Sequence, residues 1–173
     1  LRDVYKRQVQ AAALKTPRAI ILVNPAGPKH DFALAHGASH AFAPDDPKLA
    51  EAIGDLTGGR GADVFLEASG RSSAFEQGLS LVRKGARMVV FGVYKQPASI
   101  DLNILGEFKE LDIRGGHLAP FTYATALDLM ARGKIDGDGS VTHVYPLEEF
   151  EEAIDRVASP GELQIKVALD PRL

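Results

Sequence analysis

The side chains of this chain that could do chemistry do not gather into an obvious catalytic group. His117 and His143 have no partner at metal-ligand spacing, and five histidines with no cysteine cannot build the usual mixed Cys/His zinc site. Both are read as noncatalytic. Glu67 and Glu107 lack a paired carboxylate at a readable spacing, so they form no acid–base pair. "EEFEE" with Asp155 reads as a solvated helix face. The better candidates are small or polar residues that end apolar runs, because open α/β sheets take ligands outside the carboxyl ends of their strands. Asn24 closes "RAIILVN", Glu67-Ala68-Ser69-Gly70 closes "ADVFLEASG", and Phe91-Gly92-Val93 and Gly115-Gly116-His117-Leu118 end two further runs. Each has a plainer reading beside the functional one. Asn24-Pro25 starts turns and Lys29 suits a solvated helix start; Gly70 can simply end a strand and Arg71 cap a loop; "GVYKQP" and "GG" serve equally as turns.

The elements that would position these residues follow from hydrophobic periodicity. Short apolar runs alternate with helical patterns, which predicts βαβ units and a parallel sheet covered on both faces. Strands are expected at 19–23, 40–44, 62–69 and 86–94, the last two nearly continuous in apolar residues, as doubly buried strands are. Helices are expected from Lys29 to Ala35 with a stop at Gly37, from Lys48 to Leu56, and from Ser72 to Val82 with Gly85 closing the segment. Beyond residue 100 the pattern predicts a turn and short helix, a strand at Leu111 to Arg114, a helix at Tyr123 to Arg132, the strand-like "VTHVYPL", a helix at Leu147 to Val157, and a last strand "QIKVAL". Residues 1–8 fit none of this. Arg2, Lys6 and Arg7 among Val4 and Tyr5 either begin an amphipathic helix running through "VQAAAL" or are a foreign stretch, and the second reading is preferred.

Composition narrows the class. The chain has 173 residues, 45% hydrophobic and 25% charged, which suits one globular domain or one domain plus part of another. A net charge of -3 without a basic stripe gives no support for nucleic acid or an anionic membrane as partner. A small molecule is the expected partner. No stretch approaches the ~20 apolar residues of a membrane span, and "LRDVYKRQ" lacks a signal-peptide core, so the cytoplasm is the expected location.

Taken together, "HGASHAFAP", "GGRGADVFLEASG", "GLSLVRKGARMVVFGV" and "VTHVYPLEEFEEAI" resemble the medium-chain dehydrogenases, the superfamily of zinc alcohol, sorbitol and threonine dehydrogenases. "GGHLAPFTYATALDLMARGKID" is most similar to the polyol branch. The resemblance implies an α/β fold: a Rossmann-type doubly wound parallel sheet over residues 9–116, truncated at its N-terminus, followed by a C-terminal segment of the catalytic domain over 117–173. It also implies that the G-x-G-x-x-G loop of the family, which lets backbone amides approach a pyrophosphate, precedes "VQAAALKTPRA" and is missing here.

By the same resemblance the cofactor is NAD or NADP. Asn24 replaces the family aspartate that accepts from the ribose hydroxyls; a neutral acceptor no longer repels a 2′-phosphate, and Lys29 beside His30 favours NADP. Ala68, Ser69 and Arg71 line the adenine side, and backbone groups at Phe91, Gly116 and Leu118 hold the nicotinamide carboxamide. Zinc is expected for the full-length family member, with its ligands outside this chain. The function implied is hydride transfer between a secondary alcohol, such as a sugar alcohol, and nicotinamide. The 173-residue chain alone is expected to show no turnover on sorbitol, xylitol, threonine or ethanol. Two alternatives stay open: a noncatalytic nucleotide-binding module, and a zinc-independent relative of the quinone reductases. A homodimer or homotetramer is expected at full length, paired through the strand at Leu111 to Arg114.

Overall fold

The structure, a computed structural model, describes residues 4–118, 121–137, 139, 141–158 and 166–173, with side chains from residue 8 onward. In chain order the elements are α1 (Val4–Ala13), β1 (Ile21–Val23), α2 (Pro28–Ala35), β2 (His40–Phe42), α3 (Lys48–Thr57), β3 (Ala62–Glu67), α4 (Ser72–Leu81), β4 (Val82–Val90), β5 (Asp112–Gly115), α5 (Tyr123–Ala131), β6 (His143–Tyr145), α6 (Phe150–Ala158) and β7 (Val167–Leu169). They fall into two compact units, Leu1–Ala43 with Phe121–Leu173, and Pro44–Pro120.

In the first unit β1 and β2 pair in parallel, Ile21 opposite His40, through the crossover helix α2. Val9, Leu22, Ala33 and Ala38 form the buried cluster that holds α1, β1 and α2 together. The expected first strands and α2 are therefore in place, and a helix runs from Val4 to Ala13. Gly37 is needed where α2 turns into β2: its φ is +109°, and an added Cβ would lie 2.7 Å from that of Ala13. Gln10, 5% exposed, is stitched to a distant segment: Asp136 N–H donates to Gln10 Oε1 at 2.6 Å and Gln10 Nε2 donates to the Asp136 carbonyl at 3.3 Å. β6 and β7 form a second parallel pair, His143 opposite Val167. The helix expected from Leu147 opens as a 3-10 turn, Leu147–Glu149, before continuing as α6. Gln164 and Ile165 of the expected last strand lie outside the described residues.

The second unit is a parallel sheet in the order β3-β4-β5, with Phe65 opposite Met88 and Met88 opposite Ile113. Phe75 and Leu79 of α4 pack on Val82, Ala86 and Met88 of β4, joined by Phe65, Ile100, Ile104 and Leu111. Two expectations are corrected. The run expected at 86–94 starts at Val82, directly after α4, and ends at Val90; Gly85, expected to stop the helix, sits inside the strand at φ +62°, near a register shift between Ala62 and Val64. The helix needs no glycine stop because Lys109 provides one. Its Nζ donates to the carbonyls of Leu79, Ser80 and Val82 at 2.5, 3.3 and 2.7 Å, and burial lowers its pKa. Lys109→Met should destabilise the chain by about 1–3 kcal/mol in urea unfolding; an unchanged midpoint would mean that water satisfies those carbonyls equally well.

The second correction concerns burial. Among the described residues β3 and β4 are closely covered on one face and more open on the other: Met88 is fully buried, while Val64 and Leu66 are 55% and 43% exposed. α4 and residues 100–111 pack on the Met88 face, and the other face, with Arg87, carries charge. β5 ends the sheet with an ionic row: Asp112 meets Arg114 at 3.0 Å and Arg87 at 2.7 Å, and those two guanidiniums, Arg114 first, hold its carboxyl below the usual range.

Candidate functional site

Because β3, β4 and β5 are parallel and adjacent, their carboxyl ends open on one edge of the second unit, and six of the expected site residues lie there. Ala68, Ser69 and Arg71 follow β3, Phe91 follows β4, and Gly116 and Leu118 follow β5. Asn24 and Lys29 follow β1 in the first unit. Each expected residue thus follows a strand in the chain, six in the second unit and two in the first.

At the β3 end the side chain of Glu67, 1% exposed, folds back onto its own turn. Its Oε1 accepts from Ser69 N–H at 2.7 Å, Ser69 Oγ at 2.6 Å and Gly70 N–H at 2.9 Å. Its main-chain carbonyl accepts from Phe91 N–H at 2.8 Å and Gly92 N–H at 3.0 Å, which brings the β4 end alongside. The close approach requires glycine twice. Gly70 sits at φ +69°, and a Cβ there would strike the Val93 carbonyl; a Cβ on Gly92 would strike Gly70 N and Glu67 Oε2. Arg71, exposed, leads into α4 as its N-cap residue with its N–H on Ser69 Oγ at 3.2 Å. Gly116 donates to the Val90 carbonyl at 2.9 Å, and an added Cβ would come within 3.0 Å of the Phe91 ring. Leu118 is 76% exposed in the left-handed region at φ +50°, an arrangement a branched apolar residue adopts at a cost.

Tyr94 was not singled out from the sequence. Its hydroxyl is buried beside Glu67, and neither that oxygen nor Glu67 Oε2 has a hydrogen-bond partner among the described residues. Burial, then the neighbouring Glu67 carboxylate, push the phenol well above its ordinary pKa of 10.0. The folded chain keeps a proton that the unfolded chain releases, so this phenol leaves stability untouched below about pH 10 and lowers it as pH rises beyond. Urea midpoints compared at about pH 9 and about pH 11 should fall less for Tyr94→Phe than for the parent chain; equal falls would refute the assignment.

At the β1 end Asn24 N–H donates to the Phe42 carbonyl at 3.0 Å, and Nδ2 donates to the Pro25 carbonyl at 3.0 Å. That leaves the acceptor oxygen Oδ1 without a partner among the described residues. His30 donates through Nε2 to the Asn24 carbonyl at 2.7 Å, which fixes its tautomer, since a carbonyl only accepts. Lys29 lies in the first turn of α2. His117 is exposed, and His143 is held by Thr142 Oγ1 at 2.9 Å and Arg156 at 2.6 Å. Among the described residues no three of His, Cys, Asp and Glu could hold a metal ion together.

This arrangement, parallel strands joined by helices with glycines at their carboxyl ends, defines an α/β protein of the parallel-sheet class. The chain belongs to the zinc-binding dehydrogenases, whose family model matches residues 8–132. It is 37% identical over 163 residues to an erythritol/L-threitol dehydrogenase of Mycolicibacterium smegmatis, covering 94% of this chain and 45% of that protein. It is 36% identical over 140 residues to an L-threonine 3-dehydrogenase of Pyrococcus abyssi, covering 79% and 40%. Among solved structures it resembles a putative zinc-binding dehydrogenase from Sinorhizobium meliloti, bound to NADP, with TM-score 0.84 and 27% identity, over 98% of this chain and 50% of that one. The fold is accordingly of the Rossmann type. The chain spans about half the length of the relatives it matches.

Proposed function

We propose that this chain is the nucleotide-binding part of an NAD(P)-dependent alcohol or polyol dehydrogenase, with residues 9–116 forming the Rossmann domain and 117–173 returning to a catalytic domain. The observation that carries this reading is the shared edge formed by Ala68–Arg71, Phe91–Val93 and Gly116, where Gly70 and Gly92 keep the backbone turns in contact without a side chain between them. A flat, bulky ligand needs such an edge. Bound there, a nicotinamide dinucleotide supplies hydride acceptance. The chain's own residues hold and orient: Ala68, Ser69 and Arg71 toward the adenine side, and backbone groups at Phe91, Gly116 and Leu118 toward the carboxamide. The open Oδ1 of Asn24 accepts from a ribose hydroxyl and, being uncharged, tolerates a 2′-phosphate that Lys29 attracts. The residues present do not fit zinc, since cysteine is absent and no ligand group forms among the described residues. The substrate proposed is a secondary alcohol, in line with the polyol and threonine relatives.

The test is an isotope-labelled titration of the chain with NADH and with NADPH. Amides of residues 68–71, Phe91 and Gly116 should shift with either cofactor, and Asn24→Asp should weaken NADPH relative to NADH about tenfold through charge repulsion. Shifts confined to other residues, or a cofactor ratio untouched by Asn24→Asp, would overturn the reading.

A further inference from the structure

Glu67 has no partner of opposite charge among the described residues, yet it is almost wholly buried and accepts five hydrogen bonds, three through Oε1 and two through its main-chain carbonyl. A buried carboxylate without a counter-ion is expensive unless its acceptors are filled. Here one oxygen is filled by the turn that follows, and the other, Oε2, faces Gly92 and the buried Tyr94 hydroxyl. The donors to Oε1 belong to Ser69 and Gly70, next to Ala68 and Arg71. The donors to the carbonyl belong to Phe91 and Gly92. One residue therefore fixes both turns that make the edge described above.

We propose that Glu67 is a positioning residue: its side chain clamps residues 68–71, its carbonyl clamps residues 91–92, and together they preset one rigid wall for the ligand. The link to a dinucleotide rests on the reading under Proposed function. The clamp itself does not. A charged acceptor holds these amides more strongly than an amide oxygen of the same shape would, so the isosteric change should loosen the turn while preserving the packing.

The experiment compares Glu67→Gln and Glu67→Ala with the parent, each in the full chain, by residue-resolved amide hydrogen exchange and by the alkaline absorbance of tyrosine, with Tyr94→Phe identifying the Tyr94 signal. Exchange at Ser69 and Gly70 should quicken about tenfold in Glu67→Gln and further in Glu67→Ala. Amides of Met88 and Ile113 should be unchanged in Glu67→Gln, and Tyr94 should ionise at lower pH once the neighbouring charge is gone. Unchanged exchange at Ser69 and Gly70 would overturn the proposal, as would equal acceleration throughout β3–β5, which marks general destabilisation. Adding ADP-ribose separates the two ideas. If Ser69 and Gly70 respond to Glu67→Gln as stated but ADP-ribose shifts no amide from 68 to 71 in the parent, the clamp stands and the dinucleotide reading falls.

Discussion

Gly92→Ala should unfold the chain about 2–4 kcal/mol more easily and abolish the response of residues 68–71 to cofactor. The added methyl would collide with Gly70 N and Glu67 Oε2 and come within 2.7 Å of Gly70 Cα. Those are backbone and clamped atoms, so nothing at the far end of a flexible side chain can give way. The turns must separate, breaking the bonds from Phe91 and Gly92 to the Glu67 carbonyl. Gly58→Ala is the control: it sits at φ +61° with nothing within 4 Å of an added Cβ, so it carries only the conformational cost of about 1–2 kcal/mol. Urea unfolding of the two variants, with cofactor titration of each, separates crowding from backbone strain. If Gly92→Ala lost no more stability than Gly58→Ala and still bound cofactor, the contact between the turns would have no functional weight.

The second large effect lies in the sheet. Met88→Ala should cost about 2–5 kcal/mol, as expected for emptying a fully buried site, whereas Leu66→Ala should cost under about 1 kcal/mol because much of that side chain already meets water. Met88 is 0% exposed and Leu66 43%. Denaturant midpoints decide the matter. Equal losses would show that the Leu66 face is covered in solution, as the apolar run Val64-Phe65-Leu66 of β3 suggests.

That contrast shows where the sequence was informative. Strand ends were legible, because Asn24, Ala68 and Phe91 each follow a β-branched or aromatic run, and the family motifs run in the same order as the structure's elements. Gly37 was read correctly as a helix exit, since its positive φ is a local need that glycine alone meets cheaply. Gly85 misleads for the same reason: a glycine after a helical pattern signals a stop, but here Lys109, 27 to 30 residues from the carbonyls it caps, ends α4, and no local pattern reveals a distant cap. Val64 and Leu66 suit a strand buried on both sides, and periodicity cannot say which of its faces is covered. Glu67 looked like a carboxylate without a pair. Its role depends on the backbone amides of Ser69 and Gly70, which every sequence possesses and none displays, and on Tyr94, whose approach requires the turn that Gly92 permits.

The two units also differ in how the ribosome would release them. Pro44–Pro120 is one continuous stretch, able to collapse as soon as it emerges. Its companion draws on segments before and after that stretch, and the bond between Gln10 and Asp136 spans 126 positions. The Gln10 pairing can therefore form only after residue 136 has been made, later than the local cluster around Val9 that already seats α1, and the long loop it closes slows that step.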